Sequence, residues 1–259
     1  IMSESLKNIK GTQDILFDDN NIWQYLESNI HNFLNKYGFS QIRTPIFENT
    51  NLFSRSIGLQ TDIVSKEMYS WTDQGGNNLT LKPEVTASVV RAYIQHNLGK
   101  KNPINKLYYI DTLFRRERPQ KGRYRQFNQF GVEAIGSAHP EQDAEIIALA
   151  YNFYKSLNIK NLTLKINSIG SEEGRNKYKV ALKKYLTPYK NKLSALSQKR
   201  LETNPLRILD TKIDFEIKII NSAPHIIDFL NKEDKEHFSK VLSLLDSLLF
   251  QHCKSLTLT

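Results

Sequence analysis

Cysteine is nearly absent. Cys253 alone in 259 residues excludes an internal disulfide and any cysteine-rich metal site. The six histidines (31, 96, 139, 225, 237 and 252) are scattered without metal-ligand spacing, so no metal site is expected from the protein side chains. No apolar run approaches the roughly 20 residues that a membrane-crossing helix requires, so no membrane partner is expected. The N-terminal stretch IMSESLKNIKGTQD lacks the apolar centre of a signal peptide, which makes a cytoplasmic location the default expectation. Acid is short as well. Against 36 Lys and Arg stand 27 Asp and Glu, a net charge of +9 that suits contact with nucleic acid or an anionic substrate. Lysine and asparagine are abundant throughout, however, and the charge alone does not single out RNA.

What is present has a clear centre, Lys106 to Gly136, reading KLYYIDTLFRRERPQKGRYRQFNQFGVEAIG. Two limbs, Leu107 to Glu117 and Tyr124 to Ile135, are rich in aromatic and β-branched residues and read as strands. Between them Pro119-Gln120-Lys121-Gly122 supplies a preset φ and a tolerated positive one, so the chain can reverse. The two-residue period puts Arg115 and Glu117 on one face of the first limb, with Ile110, Thr112 and Phe114 opposite. On the second limb Arg125, Gln129 and Glu133 share a face, with Phe130 and Val132 opposite. Gly131 lies between Gln129 and Glu133 and is expected to leave room for a close approach. One face then reads as core, containing Phe114 and Phe130, and the other as a polar ligand floor. A solvated antiparallel sheet gives a similar alternation but does not explain Arg, Gln and Glu gathered beside a glycine.

Around this centre the periodicity predicts a helix over 21–37, with Ile22, Leu26, Ile30, Phe33, Leu34 and Tyr37 as its core stripe, stopped by Gly38. A short strand at 39–44, a hairpin turn at 73–78 and a strand at 79–81 follow. A helix is expected over 86–98, with Glu84 and Thr86 at its start. That placement fits N-terminal capping by itself, so the pair is ambiguous taken alone. Pro140-Glu141 opens another helix, and 162–166 reads as a strand. From Ser171 onward the pattern turns Lys-rich and helical, broken at Asn204-Pro205 and Ala223-Pro224.

The stretch FRRERPQKGRYRQFNQFGVE resembles the second signature motif of the class II aminoacyl-tRNA synthetases, and of the histidyl-tRNA synthetase family in particular. KGTQD at 10–14, GFSQIRTPIFE at 38–48, RSIGLQTDIVSKEMY at 55–69, LKPEVTASVVRAYI at 81–94, INSIG at 166–170 and NPLRILDTK at 204–212 are similar to that family too. The resemblance implies an α+β fold: a mostly antiparallel sheet flanked by helices, in a homodimer with 38–48 at the interface, followed by a helical insertion. Residues 1–170 would be the catalytic core with the first two class II motifs, and 171–259 the start of the insertion. Full-length family members continue into histidine-specific arginine and tyrosine motifs, a third class II motif and an anticodon-binding domain. The chain is therefore expected to be truncated before them, with a tail from Phe250 unlike the family and little adenylate formation on its own.

The implied chemistry joins L-histidine to ATP, with Mg2+ shared among the phosphates, and passes the histidyl group to tRNA(His). By the same resemblance Arg115 is the catalytic residue. It would hold both the histidine carboxylate and the α-phosphate with its rigid fork of donors. Glu117 would meet the adenine end of ATP and Arg123 its γ-phosphate. Glu84, Thr86 and Gln129 would receive the α-amino group of histidine, and Glu133 its imidazole. A relative with the same fold, the synthetase-like histidine-sensing regulatory subunit of ATP phosphoribosyltransferase, is the alternative. The intact run from Phe114 to Glu133, with Arg115, Glu117 and Arg123 all present, favours the synthetase.

Overall fold

Two units pack separately, residues 1–138 and 139–259, whereas the change of composition falls at 170/171. The computed structural model describes residues 6–57 and 67–249. Much of the 55–69 segment, the tail from Phe250 and Cys253 lie outside the described residues.

In the first unit, α1 (Phe17–Lys36) carries Asp18 and Asp19 in its first turn and Lys36 in its last, both favourable to the helix dipole. Of the stripe expected to be core, Ile30 and Leu34 are buried, while Ile22 is exposed and Leu26, Phe33 and Tyr37 are partly covered. The helical period was right, and its N-terminal half faces outward. The strand expected at 39–44 is reduced to β1 (Ser40–Gln41). Next come β2 (Phe47–Asn49), α2 (Thr50–Ile57), β3 (Ser70–Thr72) and β4 (Asn78–Leu81). The turn between β3 and β4 closes through the Asp73 carboxylate, which accepts from the Asn77 amide at 2.8 Å. That bond and the Asn77 side chain hold the Asp73 carboxyl below its ordinary value. Short α3 (Thr86–Gln95) and α4 (Leu98–Lys101) lead into β5 (Asn105–Phe114) and β6 (Gln126–Ile135).

The strands form two three-stranded sheets, β1-β5-β6 and β2-β4-β3. Among the named strands of the described residues, β1–β5 pair in parallel and the other pairings are antiparallel, so the sheet system is mostly antiparallel as expected. The β5–β6 turn places Gly122 at φ +79°, the left-handed conformation that a glycine there supplies without strain.

The core of this unit corrects one expectation. Val85, Val89, Leu107, Tyr109 and Leu113 form the buried cluster, with Phe127 partly buried against it. Leu107, Tyr109, Leu113 and Phe127 belong to the same face of the hairpin as Gln129 and Glu133. Phe114 and Phe130, expected in the core, are only partly covered on the other face. Complete burial of a side chain such as Leu113 contributes about 1.5–3 kcal/mol, so α3 is fastened over the polar face by its apolar members.

The second unit is helical among its described residues. Its α5 (Pro140–Ser156) opens with proline at the first position and Glu141 and Asp143 in its first turn. Helices α6 (Glu172–Leu186), α7 (Ala195–Thr203), α8 (Asp214–Ile220) and α9 (Lys232–Leu249) follow. The breaks at Asn204-Pro205 and Ala223-Pro224 fall between helices as anticipated. Residues 162–166, expected as a strand, have no strand pairing. Leu164 and Ile166 pack instead with Ala144, Ala148, Val241 and Leu245 of α5 and α9. A separate cluster of Tyr178, Leu182, Leu186, Leu193, Leu201 and Ile208 holds α6, α7 and the 3-10 turn at Pro205–Ile208 together.

Candidate active site

Register decides which side chains can meet. β5 and β6 pair Leu107 with Glu133, Tyr109 with Gly131, Asp111 with Gln129 and Leu113 with Phe127. The Arg115 amide donates to the Arg125 carbonyl at 2.9 Å and extends the ladder by one step. Cross-strand partners share a face, so Arg115, Arg125, Gln129 and Glu133 stand on one side, as the two-residue period had indicated. Asn128 is on the other side, where it accepts from the Thr112 hydroxyl at 2.8 Å.

A second chain segment lies against this face. Lys82-Pro83-Glu84 leaves β4 and enters α3, and it is pinned at three points. The Phe114 amide donates to the Lys82 carbonyl at 3.1 Å. Arg115 Nε donates to the Pro83 carbonyl at 2.9 Å. The fully buried Lys82 ammonium pairs with Asp111 and donates to the Thr44 carbonyl at 3.2 Å. A buried lysine is tolerated only with such partners. Arg115 is further fixed by its guanidinium, 5.3 Å from the centre of the Phe127 ring. With Nε committed to Pro83, the two terminal nitrogens of Arg115 form the fork that remains for an anion.

Glu84 and Thr86 are brought beside Glu133, and they take different parts. Glu84 Oε1 accepts from the Ala87 amide at 2.9 Å, the capping contact that its position alone foretold. Thr86 donates its hydroxyl to Glu133 Oε1 at 2.7 Å. Burial pushes the Glu133 carboxyl above its ordinary value, and the charge of Glu84 pushes the same way against the Thr86 bond. Gln129 is exposed beside this group. Glu117 and Arg123 stand beyond the strands and pair with each other at 3.3 Å, with the arginine largely exposed. No cluster of three His, Cys, Asp or Glu side chains suited to a metal occurs among the described residues.

The close approach expected at Gly131 is made by a side chain of the same hairpin rather than by a ligand. A Cβ there would lie 2.3 Å from the hydroxyl and 2.5 Å from Cζ of Tyr109, so the space is filled by the partner strand's tyrosine. The sequence alone does not single out Tyr109, Lys82 or Asp111, because their places depend on the pairing register, which a linear pattern does not display. Gly11 is a further participant: its carbonyl accepts from the Arg125 amide at 2.7 Å, tying the KGTQD turn to the start of β6.

The mostly antiparallel sheets and the polar hairpin under a helix start agree with the class II aminoacyl-tRNA synthetase fold that the sequence resemblance implies. The sequence pattern of the family described as histidyl-tRNA synthetase matches residues 11–171. The chain belongs to that family. It is 50% identical over 244 residues to a histidine–tRNA ligase of Staphylococcus epidermidis, covering 94% of this chain and 58% of that protein. A histidine–tRNA ligase of Staphylococcus aureus is 48% identical over the same shares. Among solved structures, apo S. aureus histidyl-tRNA synthetase is similar with a TM-score of 0.73 and 40% identity, over 98% of this chain and 56% of that one. An ATP phosphoribosyltransferase regulatory subunit/histidyl-tRNA synthetase from Bacillus halodurans shares the fold, at TM-score 0.65 and 20% identity over 95% of this chain and 66% of that one. The chain thus spans a little over half the length of the curated relatives it matches.

Proposed function

We propose that this chain carries the histidine- and ATP-binding floor of a histidine–tRNA ligase. A carboxylate oxygen of L-histidine attacks the α-phosphorus of ATP. The bond from that phosphorus to the oxygen bridging the β-phosphate breaks, and pyrophosphate leaves with the electron pair. The histidyl group of the adenylate then passes to the 3′ end of tRNA(His), releasing AMP.

The reading rests on one observation: Arg115, Gln129 and Glu133 share a hairpin face against which Glu84 and Thr86 are pinned. Arg115 holds the two anions together and offsets charge as it builds at the α-phosphate. Glu84, Thr86 and Gln129 take the α-amino group. Glu133, with Oε1 engaged by Thr86, keeps Oε2 for an imidazole N–H, and such a site rejects amino acids lacking that donor. Glu117 and Arg123, paired and partly exposed, separate to meet the adenine end and the γ-phosphate. The donor set suits magnesium only as an ion carried in by the phosphates, which needs few protein ligands. When bound it neutralises phosphate charge.

The same reading places the protein in the cytoplasm as a homodimer joined through 38–48. In support, Ile22, Tyr25, Ile46, Phe47 and Trp71 of the first unit are exposed apolar side chains. The histidine-sensing regulator is the weaker reading, since a sensor gives Arg115 and Arg123 no phosphoryl chemistry to serve. Histidine-dependent exchange of pyrophosphate into ATP by the full-length protein is the deciding assay. Exchange that requires histidine is the expected result, and its absence from folded protein refutes the ligase reading.

A further inference from the structure

Lys82 is completely buried, a costly place for an ammonium group. Replacing a buried ion pair by apolar side chains of similar volume is often neutral or even stabilising, so stability does not explain its presence. Geometry does. The Asp111 carboxylate is oriented through Oδ1, which accepts from the Thr112 amide at 2.9 Å, and its Oδ2 takes the lysine. The same ammonium donates to the carbonyl and hydroxyl oxygens of Thr44 at 3.2 and 3.4 Å. At the backbone end, the Lys82 carbonyl accepts from the Phe114 amide. Lys82 thus grips β5 at two points three residues apart, about 10 Å along a strand. Two points fix a direction as well as a place. The next residue, Pro83, has its φ locked by its ring, and its carbonyl accepts from Arg115 Nε at 2.9 Å.

We propose that Lys82 is a positioning residue for adenylate formation: by holding the Pro83 carbonyl in place, it sets the angle at which Arg115 presents its two terminal nitrogens to the α-phosphate. The inference rests on the histidine-ligase reading and deepens it. Reaction geometry is sensitive to such placement, since a displacement of about 1 Å costs about a hundredfold in rate. Glu117 and Arg123, assigned to the adenine end and the γ-phosphate, pair with each other beyond the strands and outside this grip. Loss of Lys82 therefore acts on the reacting phosphate and leaves the ground-state hold on ATP intact.

The test is a double-mutant cycle in the full-length protein, read by histidine-dependent pyrophosphate exchange. Lys82→Met, which keeps an unbranched stem and removes the charge, should lower kcat about a hundredfold with KM for ATP within about twofold. Because Lys82 acts through Arg115, adding Lys82→Met to Arg115→Ala should cost less than about threefold more. An unchanged kcat in Lys82→Met, a parallel rise in KM for ATP, or costs that multiply in the double variant would overturn the inference and reduce Lys82 to packing. Should Lys82→Met not fold, Lys82→Met with Asp111→Asn, which leaves no unpaired charge, takes its place under the same criteria. A wild type that exchanges beside an unaffected variant removes the role of Lys82 alone. A folded wild-type protein without histidine-dependent exchange removes the ligase reading and this inference together.

Discussion

Glu133 in the first unit and Glu216 in the second are the same side chain put to opposite uses. Glu216 is fully buried and heavily served. It accepts from the Ser194 amide at 2.7 Å, from the Ser197 hydroxyl at 2.9 Å and from the Thr211 hydroxyl. Burial pushes its carboxyl up, but these bonds together outweigh burial and hold it below the ordinary value. Glu133 has one donor, Thr86, and a like charge nearby, and its carboxyl lies above the ordinary value. A carboxylate whose lone pairs are filled by its own chain is a structural fastener. One left short of donors has acceptor capacity for a ligand, at some cost in stability.

That comparison can be broken in order of size. Arg115→Ala should lower histidine-dependent exchange about a thousandfold and, because its bond to the Pro83 carbonyl and its contact with Phe127 go too, lower stability by about 1–2 kcal/mol. Near-wild-type exchange in that variant would dissolve the proposed site altogether. Next, Glu133→Gln should cost about a hundredfold in kcat/KM for histidine and change stability at neutral pH by no more than about 0.5 kcal/mol.

Glu216→Gln should do the reverse: KM for histidine stays put, while urea unfolding shows a loss of about 2–4 kcal/mol, because one of the two accepting oxygens becomes an NH2 that faces donors and the charge holding the others is lost. The pH dependences carry opposite signs. Glu216, depressed on folding, contributes stability above the ordinary carboxylate range that is lost as pH falls through its folded value. Glu133, raised on folding, costs stability above that range, and the cost disappears on acidification. Acid unfolding followed by circular dichroism should therefore flatten in Glu216→Gln and not in Glu133→Gln. The smallest effect belongs to Arg123→Ala. Its exposed pairing with Glu117 contributes no more than about 0.5 kcal/mol, so unfolding is unaffected while KM for ATP rises several-fold.

Much of this was visible in the residues themselves. The two limbs, their polar face, the Gly122 reversal and the helix beginning near Glu84 all follow from two- and 3.6-residue periods and turn chemistry. Those are local properties, and local properties are what a linear pattern records. The rest shares one cause, which is dependence on a distant partner. Gly131 predicts a close approach, and only register shows that Tyr109 makes it. Phe114 and Phe130 read as core until α3 is seen to cover the face of Leu107 and Leu113. Residues 162–166 have strand-like composition, yet β-propensity is realised only beside another strand, and their apolar side chains are taken up by α5 and α9. The candidate site was legible in its residue types through the family resemblance, but the Lys82–Asp111 pin that holds two of its segments together was not.

The bond from the Gly11 carbonyl to the start of β6 has a consequence for how the molecule is made. Gly11 leaves the ribosome on the order of a hundred residues before its partner Arg125. Until then the KGTQD turn has nothing to grip, and the site cannot close at that end. Such distant pairings form slowly and leave strand edges and apolar surface uncovered during synthesis. Completion of the hairpin is thus the event that gathers the N-terminal turn, the Lys82 segment and α3 into one folded unit.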